Sequence, residues 1–308
     1  MILCCGEALI DMIPEPTVSG HAGFVPHAGG VVYNTARALG RLREQVGILT
    51  GLSCDMFGQH LRTELDAAQV DTSYVIVSDR PTTLAFVHLL DGQASYTFMD
   101  ENSAGRMLTP ADMPAVPVDV SALYFGGISL TSEPGADAYA ALLEAEGKTR
   151  AVMLDPNIRS DFIVDEKHYR FRLNRMIASA DIVKVSDDDL NWIIDAPLTL
   201  LEKAHRIMSM GPAIVILTQG RDGATGFLRR GDTVHVPCEK VEVVDTIGAG
   251  DTFNAGVLAN LARQGFLSKD RLAALPSRAV REALGFGAKV AAVTVSRAGA
   301  NPPWNNEL

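Results

Sequence analysis

Cysteine is scarce in this chain: Cys4, Cys5, Cys54 and Cys238 are the only four in 308 residues. No spacing among them suits a zinc site, and they are too few for a disulfide framework. They read as reduced core residues of a cytoplasmic protein. Positive charge is in deficit as well. The formal net charge is -10, which speaks against nucleic acid or an anionic membrane as partner. No apolar run approaches the ~20 residues of a membrane span. The opening MILCCGEALIDMIPEP has no basic segment and reads as a first strand, not a signal peptide. Three motifs are also missing. No Gly-x-Gly-x-x-Gly follows the first strand, so the dinucleotide fingerprint is absent. Gly147-Lys148-Thr149 imitates the end of a P-loop, but Leu142 stands where that loop needs glycine, and a helix precedes the triplet instead of following it. There is no Gly-x-Ser-x-Gly nucleophile elbow.

What remains is 47% hydrophobic, enough for a sizeable core in one large α/β domain over residues 1–308. No internal repeat or low-complexity linker divides it. Strands are predicted at Met1–Gly6, Gln45–Leu49, Ala122–Gly126, Val152–Leu154, Ile182–Val185 and Ala213–Leu217. Helices are predicted from Gly29 to about Leu42, from Asp55 as N-cap to about Ala67, and over Gly135–Glu146, Tyr169–Ser179, Thr252–Gln264 and Arg278–Val295. Tyr169–Ser179 carries three arginines, expected on its polar side. Two alternating runs, Thr83–Leu89 and Ala94–Met99, flank Asp91-Gly92, a strong hairpin signal that interrupts the βα rhythm. With the Pro- and Gly-rich stretch Pro14–His27, that hairpin is expected to leave the main sheet as a small β lid, about 12–28 and 82–100.

The chain's most informative stretch is Asp245-Thr246-Ile247-Gly248-Ala249-Gly250-Asp251. The β-branched run Val241, Val243, Val244 ahead of it reads as a strand, and a helix follows. A glycine-rich turn into a helix N-terminus is a ready anion site. Asp251 is then either the base that a transferring enzyme needs beside that site, or an N-cap on a tight turn. Gly29-Gly30 opening a helix, with Asn34 one turn in, suits a polyhydroxylated ligand; a buried structural amide is the other reading. The motifs share the C-terminal ends of predicted strands, where parallel α/β sheets bind ligands. Asp187–Asp189 or Asp245 offers oxygen ligands for magnesium, or Asp187–Asp189 caps the next helix. Arg159 is a phosphate contact or a surface ion-pair partner.

Together these residues resemble the ribokinase-like sugar kinases, the phosphofructokinase B family. Gly29-Gly30 with Asn34 and Ala36 is similar to its N-terminal signature, Asp245-Thr246 with Gly248-Ala249-Gly250-Asp251 to its C-terminal one, and Thr218-Gln219-Gly220 to Gly223 to its nucleotide loop. The resemblance implies a mostly parallel sheet of nine or so strands flanked by helices, with a small β lid. It implies ATP, Mg2+ and a sugar alcohol acceptor, and leaves a monovalent cation such as K+ and a homodimer through the lid open. It gives Asp251 as base, with Gly248, Ala249, Gly250 and Arg159 at the developing charge. Asp11, Gly29, Gly30 and Asn34 fall to the sugar, and Lys184, Thr218, Gly220, Gly223 and Asn254 to the nucleotide. Asp189 and Asp245 fall to the metal. Ser186-Asp187-Asp188-Asp189 departs from the family's Asn-x-x-Glu, which weakens the magnesium role there. Within the family, Asp100–Thr109 is similar to the bacterial fructokinases, so D-fructose is the expected acceptor. The rivals are 2-keto-3-deoxygluconate kinase, ribokinase, nucleoside kinase and a non-catalytic sugar sensor. Asp100 and Glu101 are expected to repel a sugar acid.

Overall fold

Short apolar segments covered on both faces form the centre of the molecule. The structure, a computed structural model, describes residues 1–90 and 93–308. With elements numbered in chain order, β1 (Ile2–Cys5), β4 (Val46–Leu49), β9 (Ala122–Gly126), β10 (Ala151–Asp155), β11 (Ile182–Ser186) and β12 (Ile214–Thr218) are parallel. The antiparallel β13 (Ala224–Leu228) and β14 (Thr233–Val236) extend one edge. The order is β14-β13-β12-β11-β10-β9-β1-β4, eight strands instead of nine or so. The chain steps from β1 to β4 on one side and returns to β9 on the other, so the strand order reverses at β1.

Side-chain alternation assigns the two layers. Ile2 and Cys4 pack with α1 (Val31–Arg41), α2 (Met56–Ala67), α7 (Ala249–Arg263), α8 (Lys269–Ala273) and α9 (Ser277–Val295). Leu3 and Cys5 pack with α3 (Gly135–Glu146), α4 (Glu166–Ser179), α5 (Asp187–Ile193) and α6 (Leu200–Met210). Burial pushes both thiols, Cys4 and Cys5, upward, so they stay protonated and inert. Cys54 and Cys238 are exposed, so only half of the cysteines are core residues. No helix among the described residues is long and apolar enough to cross a membrane.

A separate four-stranded sheet, ordered β3-β2-β7-β8, is made by β2 (Leu9–Pro16), β3 (Ala22–Gly29), β7 (Leu84–Leu90) and β8 (Gln93–Met99). The hairpin therefore leaves the main sheet, although Asp91-Gly92 itself lies outside the described residues. Pro14 and Pro16 are tolerated because β2 pairs with β7 only over Ile10–Met12, and Pro26 lies on the edge strand β3. A parallel pair, β5 (Gly51–Ser53) with β6 (Ile76–Ser78), completes the strands.

Three expectations need correction. Val241–Val244 is not a strand. Pro237 follows β14 and cannot donate to a ladder, the three valines are exposed, and the segment is tied down by amides of Val244 and Asp245 on the Val295 carbonyl. The Asp245–Asp251 motif thus enters from an irregular surface segment instead of a strand end. The arginines of α4 do not all face solvent: Arg172 is buried and paired with Glu133 and Asp137. The cap of α5 is Ser186, with Asp189 as its capping-box partner, so the three aspartates form the helix's first turn.

Candidate active site

A cavity of about 320 Å³ opens outside the carboxyl ends of β1, β9 and β10, where the strand order reverses. Its lining includes Glu7, Asp11, Asn34, Tyr96, Phe98, Asn157, Arg159 and the Thr246–Asp251 turn. Both sheets and the N-termini of α1 and α7 contribute, so residues far apart in the chain meet here.

Gly248 caps α7 in the left-handed conformation, φ 75, which turns the chain into the helix. Asp251 is at the third helical position, not at the cap. The amides of Gly250 and Asp251 find no acceptor among the described residues, as expected at a helix start. The motif therefore presents amide donors and the positive end of the helix dipole beside a carboxylate. Asp251 is 7 % exposed. Burial pushes its carboxyl up to about 7; the Asn34 hydrogen bond opposes that rise, Asp155 adds to it and Lys184 opposes it. Asn34 donates from Nδ2 to Asp251 Oδ2 at 2.9 Å, so this amide orients the carboxylate. Thr35 Oγ1 donates to the Asp251 carbonyl at 3.1 Å and fixes α1 against α7.

Asp11 reaches the cavity from β2. Gly29 leaves room for it: a Cβ there would meet Asp11 Oδ2 at 2.0 Å. Burial, then the charge of Glu7, raises Asp11 to about 7. Gly30, at the α1 cap, lines the cavity; Gly29 does not. Glu7 accepts from the Val31 amide at 2.9 Å and the Ser129 amide at 3.2 Å. Arg159 lines the cavity with no ion-pair partner among the described residues, the state expected of a cation kept for an anionic ligand.

Other expected residues lie elsewhere. Lys184 and Asn254 are buried behind the turn. Asp155 Oδ2 accepts from Lys184 Nζ at 3.1 Å and from Asn254 Nδ2 at 2.7 Å. Burial alone would lower Lys184, but the charges of Asp155, Asp189 and Asp251 outweigh it and hold the ammonium above its usual range. Its Nζ lies 3.4 Å from where a Cβ on Gly250 would stand, so a fixed cation backs the anion site. Thr218, Gly220 and Gly223 form the β12–β13 turn on the same edge of the sheet and do not line the cavity. A Cβ on Gly223 would meet the Val236 carbonyl at 2.2 Å, so its smallness serves backbone packing.

Asp189 accepts from the Ile158 amide at 2.8 Å and the Ser186 amide at 3.1 Å, one on each oxygen. Asp245 accepts from the Ile247 amide at 3.0 Å and the Gly299 amide at 2.8 Å, again one on each oxygen. Each carboxylate thus has both oxygens engaged by backbone amides, and neither residue lines the cavity. Asp100 and Glu101 line a neighbouring cavity, and Asp100 is neutralised by Arg106 at 2.8 Å. The expected repulsion of a sugar acid by that pair therefore does not arise in the main cavity.

Sequence reasoning passed over Glu7, Tyr96, Phe98 and Asp155. Glu7 and Asp155 had a signal, since each stands at the carboxyl end of a parallel strand. Tyr96 and Phe98 had one in the alternation of β8, which puts both on one face.

The family model for pfkB family carbohydrate kinase matches residues 1–307. The chain belongs to the pfkB family of carbohydrate kinases. Among curated relatives, a fructokinase of Rhizobium leguminosarum bv. trifolii is 48% identical over 91% of this chain and 86% of its own length. A fructokinase of Klebsiella pneumoniae is 34% identical over 91% of this chain and 90% of its own. Among solved structures, fructokinase with bound ATP from Xylella fastidiosa superposes with a TM-score of 0.89 at 28% identity, over 97% of this kinase and 93% of that chain. Aminoimidazole riboside kinase from Salmonella enterica, complexed with aminoimidazole riboside and an ATP analog, gives 0.82 at 26% identity, over 99% of the kinase and 97% of that chain. The fold is thus ribokinase-like.

Proposed function

We propose that this kinase transfers the γ-phosphate of ATP to a hydroxyl of D-fructose. The observation that carries the reaction is the joint placement of Asp251 and the α7 amides on one cavity: a buried carboxyl raised to about 7 stands one helical turn from its cap, beside donors that lack acceptors. A carboxyl of that affinity is partly ionised near neutral pH and, once ionised, is a stronger base than an ordinary carboxylate, so it can take the proton of a sugar alcohol. As the hydroxyl attacks, its proton passes to Asp251. The Gly250 and Asp251 amides, the unpaired Arg159 and the cation of Lys184 behind the turn offset charge on the transferred group. Asn34 holds the base in place, and Asp11 offers a hydrogen-bonding carboxyl to the sugar. The β3-β2-β7-β8 sheet serves as the lid. The two raised carboxyls facing the cavity, with Glu7 beside them, suit a neutral, hydroxyl-rich acceptor better than a sugar acid.

Fructose, rather than another neutral sugar, is supported by the naming of the curated relatives. The test is a competition assay at equal concentrations of fructose, ribose, aminoimidazole riboside and 2-keto-3-deoxygluconate, with products resolved by mass spectrometry. Fructose is expected to show the highest kcat/KM. A higher kcat/KM for the acid would replace this reading with the acid-sugar kinase. Fructose binding with no phosphorylated product would point to a sensor.

A further inference from the structure

Resting on that kinase reading, we propose that Asp189 is a positioning residue for Arg159, and that the Ser186–Asp189 pair has become a scaffold for the site's cation. The argument begins with neighbouring parallel strands. β10 and β11 pair at Met153↔Ile182 and Leu154↔Val183, so the segments that leave their carboxyl ends lie side by side. One is Pro156–Arg159, which carries two cavity-lining residues, Asn157 and Arg159. The other is the start of α5. Asn157 has φ 44, an uncommon conformation for a residue with a side chain, so this loop needs outside restraint to keep its course.

Asp189 supplies that restraint across 31 residues of sequence: its Oδ1 accepts from the Ile158 amide at 2.8 Å. Its Oδ2 accepts from the Ser186 amide at 3.1 Å, and its own amide donates to Ser186 Oγ at 3.0 Å. The carboxylate is 5 % exposed. It is therefore anchored at one end by a capping box and grips the loop at the other. Ile158 lies between the residue with the strained backbone and the arginine, so losing the grip frees the backbone on both sides of it. Arg159 makes no ion pair among the described residues; its guanidinium donates from Nη1 to the Ile158 carbonyl at 3.2 Å, so its place depends on the same loop backbone. The Asp189 carboxylate closes on the first turn of its own helix with one oxygen and reaches the neighbouring loop with the other. Ser186 is equally suited, because a hydroxyl caps the third helical amide.

The experiment is a double-mutant cycle of Asp189→Ala with Arg159→Ala, followed by steady-state rates with D-fructose and ATP over a range of Mg2+ concentrations. Asp189→Ala is expected to lower kcat/KM ~10- to 100-fold, the scale of a reacting group misplaced by about 1 Å. It should cost little more once Arg159 is already alanine, and the half-saturating Mg2+ concentration should not move. Additive losses would make Asp189 merely structural and overturn the proposal. A several-fold rise in half-saturating Mg2+, with the rate restored at high Mg2+, would overturn it in favour of a metal role. Amide hydrogen exchange gives a readout independent of turnover: the Ile158 amide should exchange at least tenfold faster in Asp189→Ala, and an unchanged rate would refute the contact. If the wild-type protein phosphorylates no sugar, the kinase reading fails while the exchange result still decides whether Asp189 holds the loop. If the alanine variant does not fold, Asp189→Asn enters the same cycle, since it keeps one acceptor oxygen and must lose the other.

Discussion

At the scale of single residues, the site is a set of buried carboxyls whose ionisation burial has made costly. Asp251 is the clearest case. A carboxyl raised from 3.8 to about 7 binds a proton more readily in the folded chain than in the unfolded one. Its ionisation therefore destabilises the fold above about pH 7, and that penalty is relieved as the pH falls through 7 towards 4. About 3 pKa units correspond to at most about 4 kcal/mol. Asp251→Asn is thus expected to do two opposite things. Turnover should fall ~100- to 10,000-fold, because the amide cannot accept the hydroxyl proton. Thermal stability at pH 8 should rise above that of the wild type, and the gain should shrink by pH 5. Calorimetry at both pH values, alongside rate measurements, checks the pair. More than a tenth of wild-type kcat in the variant would remove Asp251 from the role of base. The turn taken alone left Asp251 between base and cap, and the family resemblance pointed to the base; its place at the third helical position, with Asn34 on its carboxylate, could not be read from a one-dimensional spacing.

At the scale of elements, the four-stranded sheet meets the core through Ile10, Met12, Ala28 and Leu84, and its outer strand reaches across the cavity through an aromatic pair. Phe98 on β8 packs edge-to-face on Phe162, in the loop after β10, with ring centroids 4.6 Å apart. Such a contact contributes ~0.5–1.5 kcal/mol beyond area burial. If the sheet is a lid that excludes water, Phe98→Ala should shift its position by a comparable amount. The ratio of ATP hydrolysis to sugar phosphorylation should rise roughly two- to tenfold. An unchanged ratio, measured by ADP release against sugar phosphate formed, would mean that the pair only stiffens the fold. The hairpin's departure from the sheet was legible in the interrupted βα rhythm. Its junction with Phe162 was not, because the partners are distant in sequence and neither belongs to a motif.

At the scale of the whole molecule, α1 and α7 bring the beginning and end of the chain together over the reversal of strand order, and ligands should therefore stabilise the entire fold by mass action. Fructose at 100 times its Kd should add about 2.7 kcal/mol to unfolding and raise Tm accordingly. Asp11→Ala should abolish most of the increase with fructose and leave that with ATP, since Asp11 lines the cavity proposed for the sugar and lies on a different sheet from the β12–β13 turn. Equal losses with both ligands would contradict the assignment of Asp11 to the sugar.

Local chemistry settled much of this protein in advance. The buried strands declare themselves because segments covered on both faces must be apolar throughout, as in Ile2–Cys5 and Ala122–Gly126. The two glycine motifs and Asp251 are equally visible, because close backbone approach and helix starts demand particular residues at particular positions. Partnership is a different matter. Lys184 and Asn254 turn inward because Asp155 waits beneath the α7 turn. Asp100 drops out of the electrostatics of the main cavity because Arg106 folds onto it. Asp189 and Asp245 each spend one oxygen on a local amide and the other on an amide 31 or 54 residues away. Hydrogen bonds and ion pairs act over about 3 Å of space regardless of separation along the chain, so the residues that held no local signal of their partners had their roles decided only when the sheet and helices brought those partners within reach.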